Sequence, residues 1–176
     1  MVLIEPGLSI LRWNGGSECY FSRWEAHIFI VFDLDGTLAD CSHRLHHIEK
    51  FDLDCCHAGK IDWDTFYRAC IDDAPIWPII NTLIAFRAAG AKVEIWTGRS
   101  DLVETETRQW FLRHGISHVP MRMRPHGNHS PDYKMKRDWL HEGGARPDLV
   151  FEDRSRVVQM FREEGIRVCQ VDTGNF

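Results

Sequence analysis

Two carboxylates, Asp33 and Asp35, stand one residue apart in the stretch HIFIVFDLDGTLAD, residues 27 to 40, with Gly36 and Thr37 directly after them. One carboxylate of such a pair can attack a phosphorus atom and form an acyl phosphate. The other can trade a proton with the leaving group and then with water. Two like charges facing one small cavity repel unless a cation holds them, and hard oxygen ligands select Mg²⁺. Taken alone, an Asp-x-Asp-Gly turn also suits a calcium loop or an ordinary hairpin.

The elements around the pair narrow its chemistry. Ile28 to Phe32 is a continuous apolar run of strand formers, as in a strand buried on both faces of a sheet. Carboxylates at the end of such a strand lie at the carboxyl edge of an open α/β sheet, where these sheets bind ligands, and Gly36 lets the backbone turn away. PIINTLIAFRAA, from Pro78 to Ala89, reads as an amphipathic helix with Pro in its first turn and Gly90 past its end. AKVEIWTGRS is a second strand, ending in Thr97-Gly98-Arg99, and a helix with Ser100 or Asp101 as its N-cap stops at Gly115. Backbone N–H groups at that helix start, together with the Thr97 hydroxyl, suit a phosphate.

VPMRMR is a third strand carrying Arg122 and Arg124, and it runs into the turn-rich loop PHGNHSPD. The helix DYKMKRDWLHEG offers Asp132 at its start and two lysines, Lys134 and Lys136, either of which could face an anion. PDLVFEDRS is a fourth strand ending in Glu152-Asp153, SRVVQMFREEG a helix with Val157, Val158 and Phe161 inward, and IRVCQV a fifth strand. Strands alternating with helices predict an α/β fold with a mainly parallel five-stranded sheet.

Between the first and second strands, residues 41 to 75 form a helical insertion placed to lie over the strand ends as a small cap. Leu45 and Ile48, and then Trp63, Phe66, Tyr67 and Cys70, recur at helical spacing. Its acids, Asp52, Asp54, Asp62, Asp64, Asp72 and Asp73, read as solvated, and Cys55-Cys56-His57 lacks the second ligand pair of a zinc site. Residues 1 to 25 read as a loose N-terminal extension, with one strand from Leu8 to Trp13 and a turn at Asn14-Gly15-Gly16.

A chain of 176 residues suffices for one domain with its own core. No run of eighteen or more apolar residues provides a membrane span, and the start lacks a basic-then-apolar secretory pattern. The six cysteines are scattered, as reduced thiols of a cytoplasmic protein would be. A net charge of −5 hides an asymmetry: residues 99 to 137 hold eight Lys/Arg against four Asp/Glu, and the rest of the chain thirteen against twenty-two. A solvated helix face and an anion-binding groove both fit that basic segment.

DLDGTLAD after an apolar strand resembles the first motif of the haloacid dehalogenase (HAD) superfamily of phosphatases, a Rossmann-like three-layer sandwich. Asp33 with Asp35, Thr97, a lysine and Glu152-Asp153 follow the order of the four HAD motifs. WTGRS, DYKMKRDWL and FEDRSRVVQMFREEGIRVCQVDTGNF are closer still to the 3′-phosphatase domain of bacteriophage polynucleotide kinase-phosphatase. That resemblance, running from His27 to Phe176, selects Lys136 over Lys134. It implies Asp33 as nucleophile, Asp35 as acid/base, and Thr97 and Lys136 on the phosphoryl oxygens. Mg²⁺ is then held by Asp33, Asp35 through its carbonyl, Glu152 and Asp153, with Arg44, Gly98, Arg99 and Asp132 at the substrate. The implied substrate is a terminal 3′-phosphate of nucleic acid. A phosphatase for free 3′- or 5′-nucleotides shares every catalytic residue, and a non-catalytic module that binds phosphate ends is the reading from another class. The implied location is the cytoplasm, that of the host if the chain is phage-encoded. Two departures stand out: Glu152 replaces the family's first aspartate in the fourth motif, and no GxxxxGK[ST] phosphate loop occurs, so an ATP-binding kinase half is not in this sequence.

Overall fold

The computed structural model describes residues 8–12, 18–22, 28–48, 62–144 and 146–174. The Cys55-Cys56-His57 stretch, Asp52 and Asp54 lie outside the described residues. Strands β1 (Leu8–Arg12) and β2 (Glu18–Ser22) form an antiparallel hairpin, so the N-terminal stretch holds two strands where sequence patterning predicts one.

The expected α/β architecture is borne out. Strand β3 (Phe29–Phe32) leads to the short β4 (Ala39–Asp40) and a 3₁₀ turn over Ser42–His47. Helix α1 (Trp63–Arg68) and a 3₁₀ turn over Ala69–Asp72 precede β5 (Ala74–Pro75), which pairs antiparallel with β4. That two-strand ribbon ties the insertion's ends together. The remaining elements are α2 (Trp77–Ala88), β6 (Lys92–Ser100), a 3₁₀ turn over Asp101–Val103, α3 (Glu104–Arg113), β7 (Met121–Arg124), α4 (Asp132–His141), β8 (Leu149–Arg154), α5 (Ser155–Glu163) and β9 (Arg167–Gly174). Strand β6 runs on through Ser100, whose Oγ caps the 3₁₀ turn, as the N-cap reading of that residue expects, and the α-helical part, α3, follows from Glu104 because the 3₁₀ turn takes up the first residues.

Five strands form one wholly parallel sheet in the order β7-β6-β3-β8-β9. The chain moves from β3 to β6 and β7 on one side and to β8 and β9 on the other, so the order reverses beside β3. A crevice at such a switch point, outside the carboxyl ends of the strands, is the ligand site of doubly wound folds. Alternate residues of β3 feed two cores: Ile30 and Phe32 pack with Ile80, Leu83, Trp110 and Phe111, whereas Phe29 and Val31 pack with Met135, Trp139, Val157 and Phe161. Burial on both faces explains why β3 reads as an unbroken apolar run. No helix among the described residues is long and apolar enough to cross a membrane.

Candidate active site

Asp33 follows β3 directly, and its amide donates to Phe151 O of β8 at 2.9 Å. Its Oδ1 lies 2.6 Å from the Nζ of Lys136, which also reaches Glu152 Oε2 at 2.8 Å and Asp132 Oδ2 at 3.3 Å. Lys136 is buried and Lys134 exposed. The helix explains the difference, because Asp132 and Lys136 are four residues apart on one face of α4.

Asp33, Glu152 and Asp153 each turn an oxygen into one spot, all within 4.8 Å of one another. Asp153 Oδ1 accepts from Thr37 Oγ1 at 3.4 Å, but Oδ2 is buried and has no hydrogen-bond partner. An orphaned carboxylate oxygen between two other acids fits a divalent cation. Glu152, the family's departure, keeps its carboxylate within this group. Its longer side chain folds back so that Oε1 accepts from the amides of Asp153 and Arg154, each at 3.2 Å.

Electrostatics agree with that fit. Burial, followed by the neighbouring Glu152, raises the Asp33 carboxyl well above its ordinary range despite Lys136. Burial pushes Glu152 up to about 7, with further contributions from Asp132 and Asp153. Asp153 goes up to about 6, by burial and by Asp33. Lys136 stays charged, because the carboxylates around it outweigh the desolvation of its ammonium. Lys136 and the neighbouring Arg154 do not balance the four acids Asp33, Asp132, Glu152 and Asp153, and a divalent cation would.

Asp35 faces the other way. Its Oδ1 accepts from Arg44 Nη2 at 2.6 Å and from Arg99 Nη2. Although burial alone would raise it, the two guanidiniums hold its carboxyl well below the ordinary range. The carboxylate of Asp35 is therefore outside the acidic cluster. Sequence reasoning sends Arg44 and Arg99 to the substrate. In the structure both side chains are fully buried against Asp35, and both also bond Asp73: Arg44 Nε at 2.7 Å, Arg44 Nη2 at 2.8 Å and Arg99 Nη2 at 2.7 Å. Buried guanidiniums need carboxylate partners, and two arginines facing two aspartates form a neutral, hydrogen-bonded unit.

Asp73 is the residue sequence reasoning missed. Read there as one of six solvated acids, it is 3 % exposed. Trp110 Nε1 donates to its carbonyl at 2.7 Å, and His43 Nε2 lies 3.0 Å from its carboxylate. The signal that could have found it is the pair Arg44 and Arg99, whose burial at one place demands more negative charge than Asp35 alone supplies.

Thr97 is buried at the end of β6, and its Oγ1 accepts from the Arg99 amide at 3.0 Å. Gly98 presses against Asp132, so that a Cβ there would stand 2.8 Å from Asp132 Oδ1. The Gly98 carbonyl accepts from Arg124 Nε at 2.8 Å. Arg122, two residues earlier on β7, serves structure: it pairs with Glu142 at 2.5 Å and lies over the rings of Trp96 and Trp139. Among the described residues Cys41 and Cys70 are buried free thiols and Cys169 an exposed one.

The profile of the polynucleotide kinase PNKP phosphatase domain matches residues 27–176. The fold is similar to a chain in a solved Pnkp1/Rnl/Hen1 RNA repair complex, with TM-score 0.69 and 20% identity over 99% of this chain and 49% of that one. Another Pnkp1/Rnl/Hen1 structure aligns with TM-score 0.68 and 21% identity, over 85% of this chain and 47% of its counterpart. The present chain therefore spans about half the length of those proteins. A class C acid phosphatase from Bacillus anthracis shares the fold at TM-score 0.58 and 15% identity, over 85% of this chain and 68% of that one. With its carboxylates and lysine converging at the switch point of a doubly wound sheet, and with the family profile covering most of its length, the chain belongs to the PNKP-type phosphatase domains of the HAD superfamily.

Proposed function

We propose that this phosphatase is a Mg²⁺-dependent phosphomonoesterase that removes a terminal 3′-phosphate from nucleic acid through an aspartyl-phosphate. The observation that carries this reading is the position of Asp33. Lys136 lies on one side of it at 2.6 Å, and the partnerless buried oxygen of Asp153 belongs to the same acidic cluster. A nucleophile between an ammonium and a cation site is what attack on a phosphate dianion requires.

Asp33 attacks phosphorus in line, and the bond from phosphorus to the sugar oxygen breaks as the acyl phosphate forms. Lys136 offsets the repulsion between carboxylate and dianion, and the Thr97 hydroxyl donates to a phosphoryl oxygen. The carboxylates of Asp33, Glu152 and Asp153, with the Asp35 carbonyl, would hold Mg²⁺, whose charge neutralises what carboxylate and phosphate share. Asp35 is ionised in its arginine clamp; the arriving dianion raises its proton affinity, so that it takes a proton from solvent and passes that same proton to the departing sugar oxygen. Once the alcohol has left, Asp35 takes a proton from water, which attacks phosphorus and releases inorganic phosphate and free Asp33. In this reading Arg44, Arg99 and Asp73 orient Asp35, and Asp132 orients Lys136. Residues 41 to 75 act as the cap and residues 1 to 25 as an extension of a cytoplasmic enzyme.

The test is phosphate release with Mg²⁺ from a 3′-phosphorylated oligonucleotide, from 3′- and 5′-mononucleotides and from a generic aryl phosphate. The reading expects the highest kcat/KM on the oligonucleotide, lost in Asp33→Asn. Turnover of mononucleotides alone would make the protein a nucleotidase, and binding without turnover would make it a sensor of phosphate ends.

A further inference from the structure

A cavity of about 420 Å³ opens between the insertion and the loop that joins β7 to α4. Asp132, which holds Lys136, is among its lining residues, so the cavity adjoins the candidate phosphate site. One wall is aromatic. The rings of Trp63 and Tyr67, one turn apart on α1, stack with centroids 5.9 Å apart and planes 29° apart, and Phe66 meets the indole edge-on at 5.8 Å. Trp63 is nevertheless 45% exposed. The Tyr67 hydroxyl donates to Gly98 O at 3.4 Å, which fixes this wall against the end of β6. The opposite wall is fixed too, because Arg124 donates to Asn128 O at 3.1 Å and to Ser130 O at 2.6 Å.

A braced, half-exposed indole beside a phosphate site offers a flat apolar face to whatever is joined to that phosphate. Asp64 lines the same space together with Arg124 and Arg154, and its carboxylate accepts hydrogen bonds from the amino and imino groups of a base. Stacking of a base on an aromatic side chain strengthens binding roughly ten- to hundred-fold and tolerates every base.

We propose that Trp63, backed by Tyr67, is a stacking platform for the base of the nucleotide whose phosphate is removed, and therefore a specificity-determining residue. This rests on reading the site as a phosphatase for nucleic-acid or nucleotide phosphates. A base seated there has left its helical stack, so the enzyme acts on unpaired ends.

The experiment compares matched substrates with and without the base. One pair is a 3′-phosphorylated oligonucleotide and the same oligonucleotide with an abasic 3′-terminal residue; the other is a nucleoside 3′-monophosphate and ribose 3-phosphate. The wild type is expected to favour the base-bearing member about tenfold or more in kcat/KM, chiefly through KM. Trp63→Ala brings that member down to the level of its partner, and Trp63→Phe recovers most of the difference. Equal handling of both members by the wild type, or an undiminished preference in Trp63→Ala, overturns the platform. A preference confined to the mononucleotide pair, with the oligonucleotides left intact, supports the platform and overturns the polynucleotide reading. If no substrate is turned over, calorimetric titration of the same pairs decides: tighter binding of the base-bearing member, lost in Trp63→Ala, supports the platform, and equal affinities overturn it.

Discussion

Asp73 grips Arg44 with two hydrogen bonds, at 2.7 and 2.8 Å, across 29 residues of chain. The same guanidinium reaches Asp35 at 2.6 Å and lies over the Phe66 ring at 4.1 Å, so the insertion's two ends and the proposed acid/base share one buried unit. Removing one partner from a buried ion pair costs about 3–5 kcal/mol, because the other charge is left uncompensated. Asp73→Ala is therefore expected to lower Tm by on the order of 10 °C in a domain of this size. Asp73→Asn, which keeps the shape, should still lose kcat at least about tenfold through a misplaced Asp35. Differential scanning fluorimetry with steady-state kinetics checks both, and wild-type kcat in Asp73→Asn would show that Asp35 needs no such orientation.

Asp33, Thr97, Lys136 and Asp153 were legible in the sequence because each sits on or just after an element with an unmistakable period: a strand with a long apolar run, or a helix whose positions 132 and 136 share a side. Their convergence follows from topology, since β3, β6 and β8 are adjacent and parallel. Asp73 was not legible, because it stands among acids on short, irregular turns where no period says which one points inward. Arg44 and Arg99 were found by position, but their bonds to Asp35 and Asp73 were not foreseen. Spacing puts a residue at a site without saying which way its side chain turns. The strand from Glu18 to Ser22 escaped notice because five residues without clear alternation look like loop.

Lys136 touches three carboxylates, and its loss leaves them facing one another in a buried site. Lys136→Gln is expected to reduce kcat by about 10²–10³, the range for removal of one preorganised charge-stabilising group. Lys136→Arg should be nearly as poor, because a planar fork cannot replace a compact ammonium within 3.3 Å of three acids. If Lys136→Arg retained wild-type kcat with an oligonucleotide 3′-phosphate, charge alone would account for the lysine, and its placement would not matter.

Gly174, at the end of β9, packs so closely on Asp153 that an added Cβ would collide with Oδ2, the same partnerless oxygen; Gly36 does so as well, with φ of +86°. At Gly174 the obstacle is purely steric, whereas Gly36→Ala adds backbone strain. Gly174→Ala is expected to raise the Mg²⁺ concentration for half-maximal activity at least about tenfold, with a much smaller change in KM for substrate. Activity titrated against Mg²⁺ at saturating substrate reads this directly, and an unaltered Mg²⁺ dependence would separate Asp153 from the cation.

The raised carboxyls fix the sign of a linkage between pH, Mg²⁺ and stability. Folded Glu152 and Asp153 hold protons up to about 7 and about 6, whereas unfolded acids release them near 4. Folding without a cation thus takes up protons between those values, and these groups contribute stability that is lost as pH rises through about 6 to 7. Mg²⁺ competes with the same protons, so its stabilising effect should be small at pH 5 and grow towards pH 8. Asp35 has the opposite sign: its depressed carboxyl contributes stability at neutral pH that is lost only as pH falls below the ordinary carboxylate range. His114, lowered by burial and by Arg113, also acts against the trend, so absolute Tm values mix several groups. The difference in Tm with and without Mg²⁺ isolates the acidic cluster, and it should widen from pH 5 to 8 in the wild type and stay flat in Asp153→Asn. A Mg²⁺-induced shift that does not vary with pH would mean that these carboxyls are already ionised without the cation.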